Sequence, residues 1–223
     1  MKEAFGLLLA GDAETWSIVA RSLGFAFFST AFSFLPGALV GFAAAALRPS
    51  RRRSAAAFLN ALTALPTVVI GLFVYSLISR SGPLGFLSFL YAPSGVVLGQ
   101  TFLALPIVAS LVYAGLSKLD PRFRETLFTL GASRARRFFA TAREARAVVV
   151  AALVAAFGRV AGEVGVCMML GGNIRGSTRT MTTAIALDAS KGEFERAIAL
   201  GLVLFAVAVL VNLAAHALAP REA

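Results

Sequence analysis

Two ionisable residues interrupt a long apolar run, in the order Gly158-Arg159-Val160-Ala161-Gly162-Glu163-Val164-Gly165. At i and i+4, Arg159 and Glu163 fall on one face of a helix and can pair. Pairing neutralises the arginine, so a structural ion pair that locks helices together is the default expectation, ahead of direct contact with a solute. Downstream lies Gly171-Gly172-Asn173-Ile174-Arg175-Gly176-Ser177-Thr178-Arg179-Thr180-Met181-Thr182-Thr183. Its backbone amides, the Asn173 and Thr178 side chains, and the guanidinium groups of Arg175 and Arg179 suit an oxyanion. A surface loop that touches a partner protein has the same composition, and both readings stand.

A second polar stretch, Lys118 to Arg146, is basic and periodic. Asp120 followed by Pro121 predicts a helix start, an N-cap acceptor ahead of a ring that suits the first helical position. Phe123, Leu127 and Leu130 recur at i, i+4 and i+7 and share a face. Gly131 can take a left-handed backbone and end that helix. After Ala132, Ser133 can cap a second helix carrying Arg134, Arg136 and Arg137. Caps, periodicity and glycine together predict a docking element rather than a basic loop that only orients the chain.

The elements that hold these residues follow from composition. Of 223 residues 58% are hydrophobic and 14% charged, with a net charge of +10 and a mean hydropathy of +0.82. That is too apolar for a water-soluble domain of this size. The cations sit between apolar runs, which favours membrane topology over nucleic acid as the reason for the basic excess. Five spans are expected, at about Leu23–Leu47, Ala55–Ser79, Val96–Leu116, Ala147–Leu170 and Ala197–Leu218. Each is long enough for a hydrocarbon core of about 30 Å, and each should be helical, because backbone polar groups must be satisfied inside lipid. Pro36, Pro66 and Pro106 lie within the first three, where kinks are expected. Ionised groups at that depth face a bundle interior or a watery cavity, which is where Arg159 and Glu163 belong. Gly158, Gly162 and Gly165 permit close helix approach.

Loop charge predicts orientation. Arg48, Arg51, Arg52, Arg53, eight cations between Lys118 and Arg146, and Arg221 make 13 of the 21 basic residues on one side, against seven on the other. The positive-inside rule puts the 118–146 loop in the cytoplasm, the N-terminus outside and the C-terminus cytoplasmic. The expected organisation is an external segment 1–22, one transmembrane domain 23–218 and a cytoplasmic tail 219–223. A cleaved leader is not expected, since Lys2 is followed by Glu3, Asp12 and Glu14, and the apolar piece Leu7 to Ala10 is short. Cys167 and His216 lie in apolar runs without a ligand cluster, and Met168 and Met169 read as packing residues.

Glu125-Thr126-Leu127, three residues, then Gly131 resembles the coupling loop of ABC importer permeases. Gly158-Arg159, Glu163-Val164-Gly165, Met168 to Gly176 and Thr178 to Leu187 resemble the permease of tungstate-type importers. Leu65 to Leu72 and Ser79 to Gly85 are similar to its second span and the following loop. The alanines of the coupling pattern are replaced by Thr126 and Leu127, and its later I-x-L-P falls on Thr141-Ala142-Arg143-Glu144.

The resemblance implies an all-α polytopic membrane protein with a type I (MetI-like) permease fold, working as a homodimer. It implies coupling to the ATPase through Asp120, Pro121, Phe123, Glu125, Leu127, Leu130, Gly131, Ala132 and Ser133. It also implies a pathway between the copies, with Thr63, Thr67, Gln100 and Thr101 as candidate lining residues beside Arg159, Glu163, Asn173, Arg175, Thr178 and Arg179. For Thr63, Thr67, Gln100 and Thr101, an interhelical hydrogen bond is the default. The implied partners are an ABC ATP-binding subunit, an extracytoplasmic oxyanion-binding protein, a second copy and the bilayer, in a cell (inner) membrane. The implied cargo is tungstate, with molybdate the close alternative.

No nucleic-acid role is expected. No G-x-x-x-x-G-K-[ST] occurs, so ATP and Mg belong to the partner subunit and no cofactor is expected on this chain. One histidine, one cysteine and no H-E-x-x-H leave little for the metal or Cys–His catalysis of an intramembrane enzyme. Few intramembrane carboxylates and no internal repeat argue against a channel or an ion-coupled secondary transporter.

Overall fold

The computed structural model describes residues 11–218, which are helices joined by turns. The first ten residues of the expected external segment, and the expected tail 219–223 with Arg221, lie outside the described residues. α1 (Ala13–Ala46) has 34 residues and is about 51 Å long. It starts ten residues before the expected span because Asp12 caps it, accepting from the Thr15 amide at 2.8 Å and the Thr15 hydroxyl at 2.6 Å. α2 (Pro49–Thr63) and α3 (Thr67–Ile78) follow, then a 3-10 turn (Gly85–Leu87) and α4 (Pro93–Ser117). α5 (Pro121–Thr129) and α6 (Arg134–Glu144) form the polar pair, then come α7 (Arg146–Ala161), α8 (Gly165–Gly171), α9 (Met181–Lys191) and α10 (Phe194–Leu218).

Three of these helices, α1, α4 and α10, are each long and apolar enough to cross a membrane. The other two expected spans are bent pairs. α2 and α3 meet at 85°, and α7 and α8 at 65°, so up to five crossings are present if each pair counts as one. Pro66 accounts for the first bend. It has no amide hydrogen for the helix ladder, and it biases Leu65 away from helical backbone. Pro36 and Pro106, expected to kink their spans, lie inside helices that run through them. The second bend falls at Gly162-Glu163-Val164, between a helix that ends at Ala161 and one that starts at Gly165.

The core sits where α4 and α7 pack on α1. It is built largely of small side chains, among them Ala26, Ala45, Ala104, Ala152 and Ala156, with Leu103, Val108, Val112 and Val160. Gly37 and Gly41, four residues apart, let α1 approach α4 at backbone distance. A Cβ on Gly41 would lie 2.8 Å from the Ala109 carbonyl oxygen and 2.9 Å from the Val112 Cβ. This small-x-x-x-small contact is the membrane packing device, and it falls on glycines other than those singled out in span four. Of those three, Gly158 packs against Val211 and Gly165 against Thr67, whereas Gly162 meets nothing within 4 Å.

Candidate functional site

The two helix breaks face one another. A Cβ on Gly165 would lie 3.0 Å from Thr67 Oγ1 and 3.3 Å from Glu163 Oε1, so the first turn of α8 is set against the first turn of α3. Gly71 packs on Met169 one turn further along. Glu163 is buried in the second break with 4% exposure, and Arg159 reaches it at 3.0 Å from the end of α7 while remaining 48% exposed. The expected pair therefore forms, but Glu163 is not on the helix face that the spacing suggested. Its other carboxylate oxygen accepts from the Val166 amide at 3.2 Å, and its carbonyl accepts from Thr182 Oγ1 at 2.7 Å. Freed from the helix, Glu163 satisfies the exposed start of α8 and ties α9 to the break.

Gln100, on α4, closes the same region from inside. Its amide nitrogen donates to the Val160 carbonyl and to Cys167 Sγ, each at 3.2 Å, and its oxygen accepts from Ser29 Oγ on α1 at 3.1 Å. Gln100 thus links four helices. Thr101 donates to the Val97 carbonyl in its own helix at 2.7 Å and lies 3.5 Å from the Ser29 carbonyl of α1. Thr63 donates to Asn60 within α2 at 2.7 Å, a bond inside its own helix rather than between helices. Thr67 is half-buried at the start of α3.

The 171–183 segment is more tightly tied than its composition suggested. Gly172 turns the chain with φ +67° and Asn173 with φ +53°. The buried Thr178 hydroxyl donates to the Gly171 carbonyl and accepts from the Ile174 amide at 3.0 Å. That hydroxyl is consumed by the turn. Thr180 and Thr183 form a reciprocal cap at the start of α9, and the Met181 amide donates to Ser22 Oγ of α1 at 2.7 Å. Arg175 is paired with Glu14 on the first turn of α1. Arg179 approaches the same carboxylate at 3.8 Å and Arg196 at 3.7 Å. Asn173 donates to the Thr183 carbonyl at 3.3 Å. The arginines expected to be open to an anion are thus occupied, by an acid that the sequence reading did not connect with them.

At the opposite end of the bundle, α5 and α6 follow their local signals. The Asp120 carboxylate accepts from the Arg122 amide at 2.8 Å, and Ser133 Oγ accepts from the Arg136 amide at 3.3 Å. Gly131 has φ +64°. Its amide donates to the Phe128 carbonyl at 3.0 Å, and the Ala132 amide donates to the Leu127 carbonyl at 3.1 Å. These two bonds are the paired stop of a helix that ends in a left-handed residue. Arg137 lies 4.0 Å over the Phe128 ring and pins α6 to α5. Phe138 meets Phe42 of α1 at 5.2 Å between ring centroids.

The expected common face of α5 is divided. Phe123 is half-buried, and Leu127 helps line a cavity of about 910 Å³ beneath the pair, whereas Leu130 is 75% exposed. Phe128 and Phe139 are also exposed, at 67% and 69%, and Glu125 is exposed beside them. The pair presents apolar side chains outward on a polar, basic element.

Sequence reasoning missed the hydroxyl stripe Ser22, Ser29 and Ser33, all buried on α1. Their spacing of seven and four in an apolar span marks one helix face and was a usable signal. It also missed the Asp188–Arg196 pair, two bonds of 2.7 Å around a fully buried carboxylate.

Comparison with known proteins bears on what this arrangement is. A solved structure titled "Inward facing conformations of the MetNI methionine ABC transporter" shares the fold, with a TM-score of 0.74 at 17% identity over 94% of this chain and 100% of that one. A probable anion ABC transporter permease protein of Haloferax volcanii is 42% identical over 152 residues, which are 66% of this chain and 66% of that protein, just under two thirds of its length. The tungstate uptake system permease protein TupB of Peptoclostridium acidaminophilum is 32% identical over 217 residues, 97% of this chain and 95% of that protein. The family model described as "binding-protein-dependent transport system inner membrane component" matches residues 37–223. With the apolar helices, the facing breaks and the capped helix pair, that match places this chain in the family of binding-protein-dependent transport system inner membrane components.

Proposed function

We propose that the chain is the permease subunit of an ATP-driven importer that takes up a tetrahedral oxyanion, tungstate first among them, from an extracytoplasmic binding protein by alternating access. The α5–Gly131–α6 pair carries this reading. It is a rigidly capped element with exposed Phe128, Leu130 and Phe139, built to seat in a groove of an ATP-binding subunit. ATP and Mg act on that subunit. Its closure moves the docked pair, and Phe138 against Phe42 passes the motion to α1.

The working unit is a homodimer. Thr63, Ala64, Leu65 and Pro66 at the first break, and Gly162 and Val164 at the second, are exposed in one copy. Broken backbone is tolerated at membrane depth only against protein or a watery cavity, so a second copy and the pathway between them cover it. Thr67 and the Arg159–Glu163 pair then stand beside that pathway, with Gln100 holding the helices behind it. The 118–146 end faces the cytoplasm, and the 171–196 end faces the binding protein.

The reading is tested by mild-detergent purification of the tagged chain from its native membrane, with partners identified by mass spectrometry. An ATP-binding subunit that is lost on Glu125→Arg supports it. The co-purifying binding protein is then titrated with tungstate, molybdate and sulfate, and preference for molybdate would reassign the cargo. Recovery of the chain alone, with uptake surviving ATP depletion, would sink it in favour of a channel or an ion-coupled transporter.

A further inference from the structure

The convergence of Arg175, Arg179 and Arg196 on one carboxylate has the form of an anion site filled by the protein's own side chain. Glu14 comes from the first turn of α1, the arginines from the 172–180 turn and the start of α10. The three cations are not equivalent. Arg196 is committed to the buried Asp188 by two bonds of 2.7 Å and reaches Glu193 at 3.4 Å, so it frames the site. Arg175 and Arg179 share Glu14 as carboxylate partner, and Arg175 is 73% exposed.

Glu14 fits its place poorly. Its Oε1 is buried without a hydrogen bond, and so is Arg179 Nε, although the two side chains approach to 3.8 Å. Asn173 Oδ1 is a further buried atom without a partner in the same turn. Buried polar groups are ordinarily satisfied, and orphaned donors and acceptors side by side mark a position made for something else. A carboxylate offers two oxygens in one plane. A tetrahedral oxyanion offers four, splayed so that guanidinium groups on different sides can each donate. Glu14 stands on the first turn of α1 and is 23% exposed, so its carboxylate has solvent on one side to swing into.

We propose that this cluster is a receiving station for a divalent tetrahedral oxyanion, and that Glu14 is its resident competitor. An incoming dianion displaces the Glu14 carboxylate from Arg175 and Arg179. When the anion leaves, the carboxylate returns and restores the tie between α1 and the 172–180 turn. The proposal rests on the reading of the chain as an oxyanion permease and adds to it a site on the permease itself, with an internal anion that has to be expelled.

The test is tungstate binding to the purified full-length chain, followed by equilibrium dialysis and by emission of Trp16, the single tryptophan, two residues from Glu14. Removing the competing charge in Glu14→Gln raises tungstate affinity by about tenfold or more. Adding Arg179→Gln to that variant abolishes the gain. Unchanged or weaker binding in Glu14→Gln, or a gain that survives Arg179→Gln, overturns the proposal. If Glu14→Gln does not fold, the wild-type chain still decides it. Millimolar tungstate shifts Trp16 emission where chloride at equal ionic strength does not, and no difference between them overturns the proposal. ATP-dependent uptake by the wild-type complex separates the two claims. Uptake without the Glu14 effect removes the station alone, whereas no uptake removes the importer reading beneath it.

Discussion

Gly131 is the residue at which backbone conformation and coupling are most cleanly separable. Its φ is +64°, and a Cβ placed on it meets nothing within 4 Å. Substitution therefore brings backbone strain without a steric clash inside the chain. A left-handed backbone costs an ordinary L-residue roughly 1–2 kcal/mol; asparagine tolerates it best and a β-branched residue worst. One to two kcal/mol corresponds to about a 5–30-fold loss of the population with α5 and α6 at the docking angle. The expected order of coupling is Gly close to Asn, then Ala, then Val. The chain should insert equally in all four cases, because the strain is confined to an exposed turn. The assay is ATPase activity of the assembled complex stimulated by loaded binding protein, with membrane yield measured in parallel. Wild-type stimulation in Gly131→Val would show that coupling does not depend on a left-handed residue between α5 and α6. An asparagine variant as poor as valine would mean that the partner needs the missing side chain rather than the φ angle.

Three other perturbations follow from the same geometry. Arg159→Ala leaves the buried Glu163 carboxylate with the Val166 amide but without its cation, so dimer yield should fall while relative uptake of tungstate and molybdate is kept; normal yield with altered preference would reverse that assignment. Gly41→Leu drives a side chain into the Ala109 carbonyl and Val112 and should cost roughly 1–3 kcal/mol, seen as lost monodisperse yield on size exclusion, whereas Gly24→Ala, with nothing within 4 Å, should not. Hydrogen bonds from the Thr15 side chain and amide hold the Asp12 carboxyl below the usual carboxylate range. A lowered folded pKa contributes stability above the unfolded value and loses it as pH falls through the folded one, so the melting-temperature advantage of wild type over Asp12→Ala should be full near neutrality and fade below about pH 4; a gap that widens on acidification would contradict this.

What the sequence disclosed depended on how local the cause was. Asp120, Gly131 and Ser133 act on neighbours within a few residues, and they cap and stop α5 and α6 as cap rules require. Apolar length likewise marked α1, α4 and α10, with α1 longer than expected because Asp12 could not be weighed against the apolar boundary. The bends were harder. Pro66 announced a kink but not 85°, because the angle is set by where α3 packs against α8. The break at Gly162 was hidden because Arg159 and Glu163, at i and i+4, read as one face of a continuous helix, whereas the Glu163 carboxylate turns back to the Val166 amide. The Glu14 cluster was least legible: Arg175 and Arg179 stood out as possible anion ligands, but Glu14 lies 161 residues before Arg175 and nothing local connects them.

Reconstitution shows whether the chain is an ATP-driven oxyanion permease coupled through α5 and α6. The chain, its ATP-binding subunit and the loaded binding protein are placed in proteoliposomes, and tungstate accumulated inside is measured with and without ATP. Accumulation against a gradient should require ATP and the binding protein together and fall at least about fivefold in Gly131→Val. Accumulation that proceeds without ATP, or is unchanged in Gly131→Val, would contradict this reading.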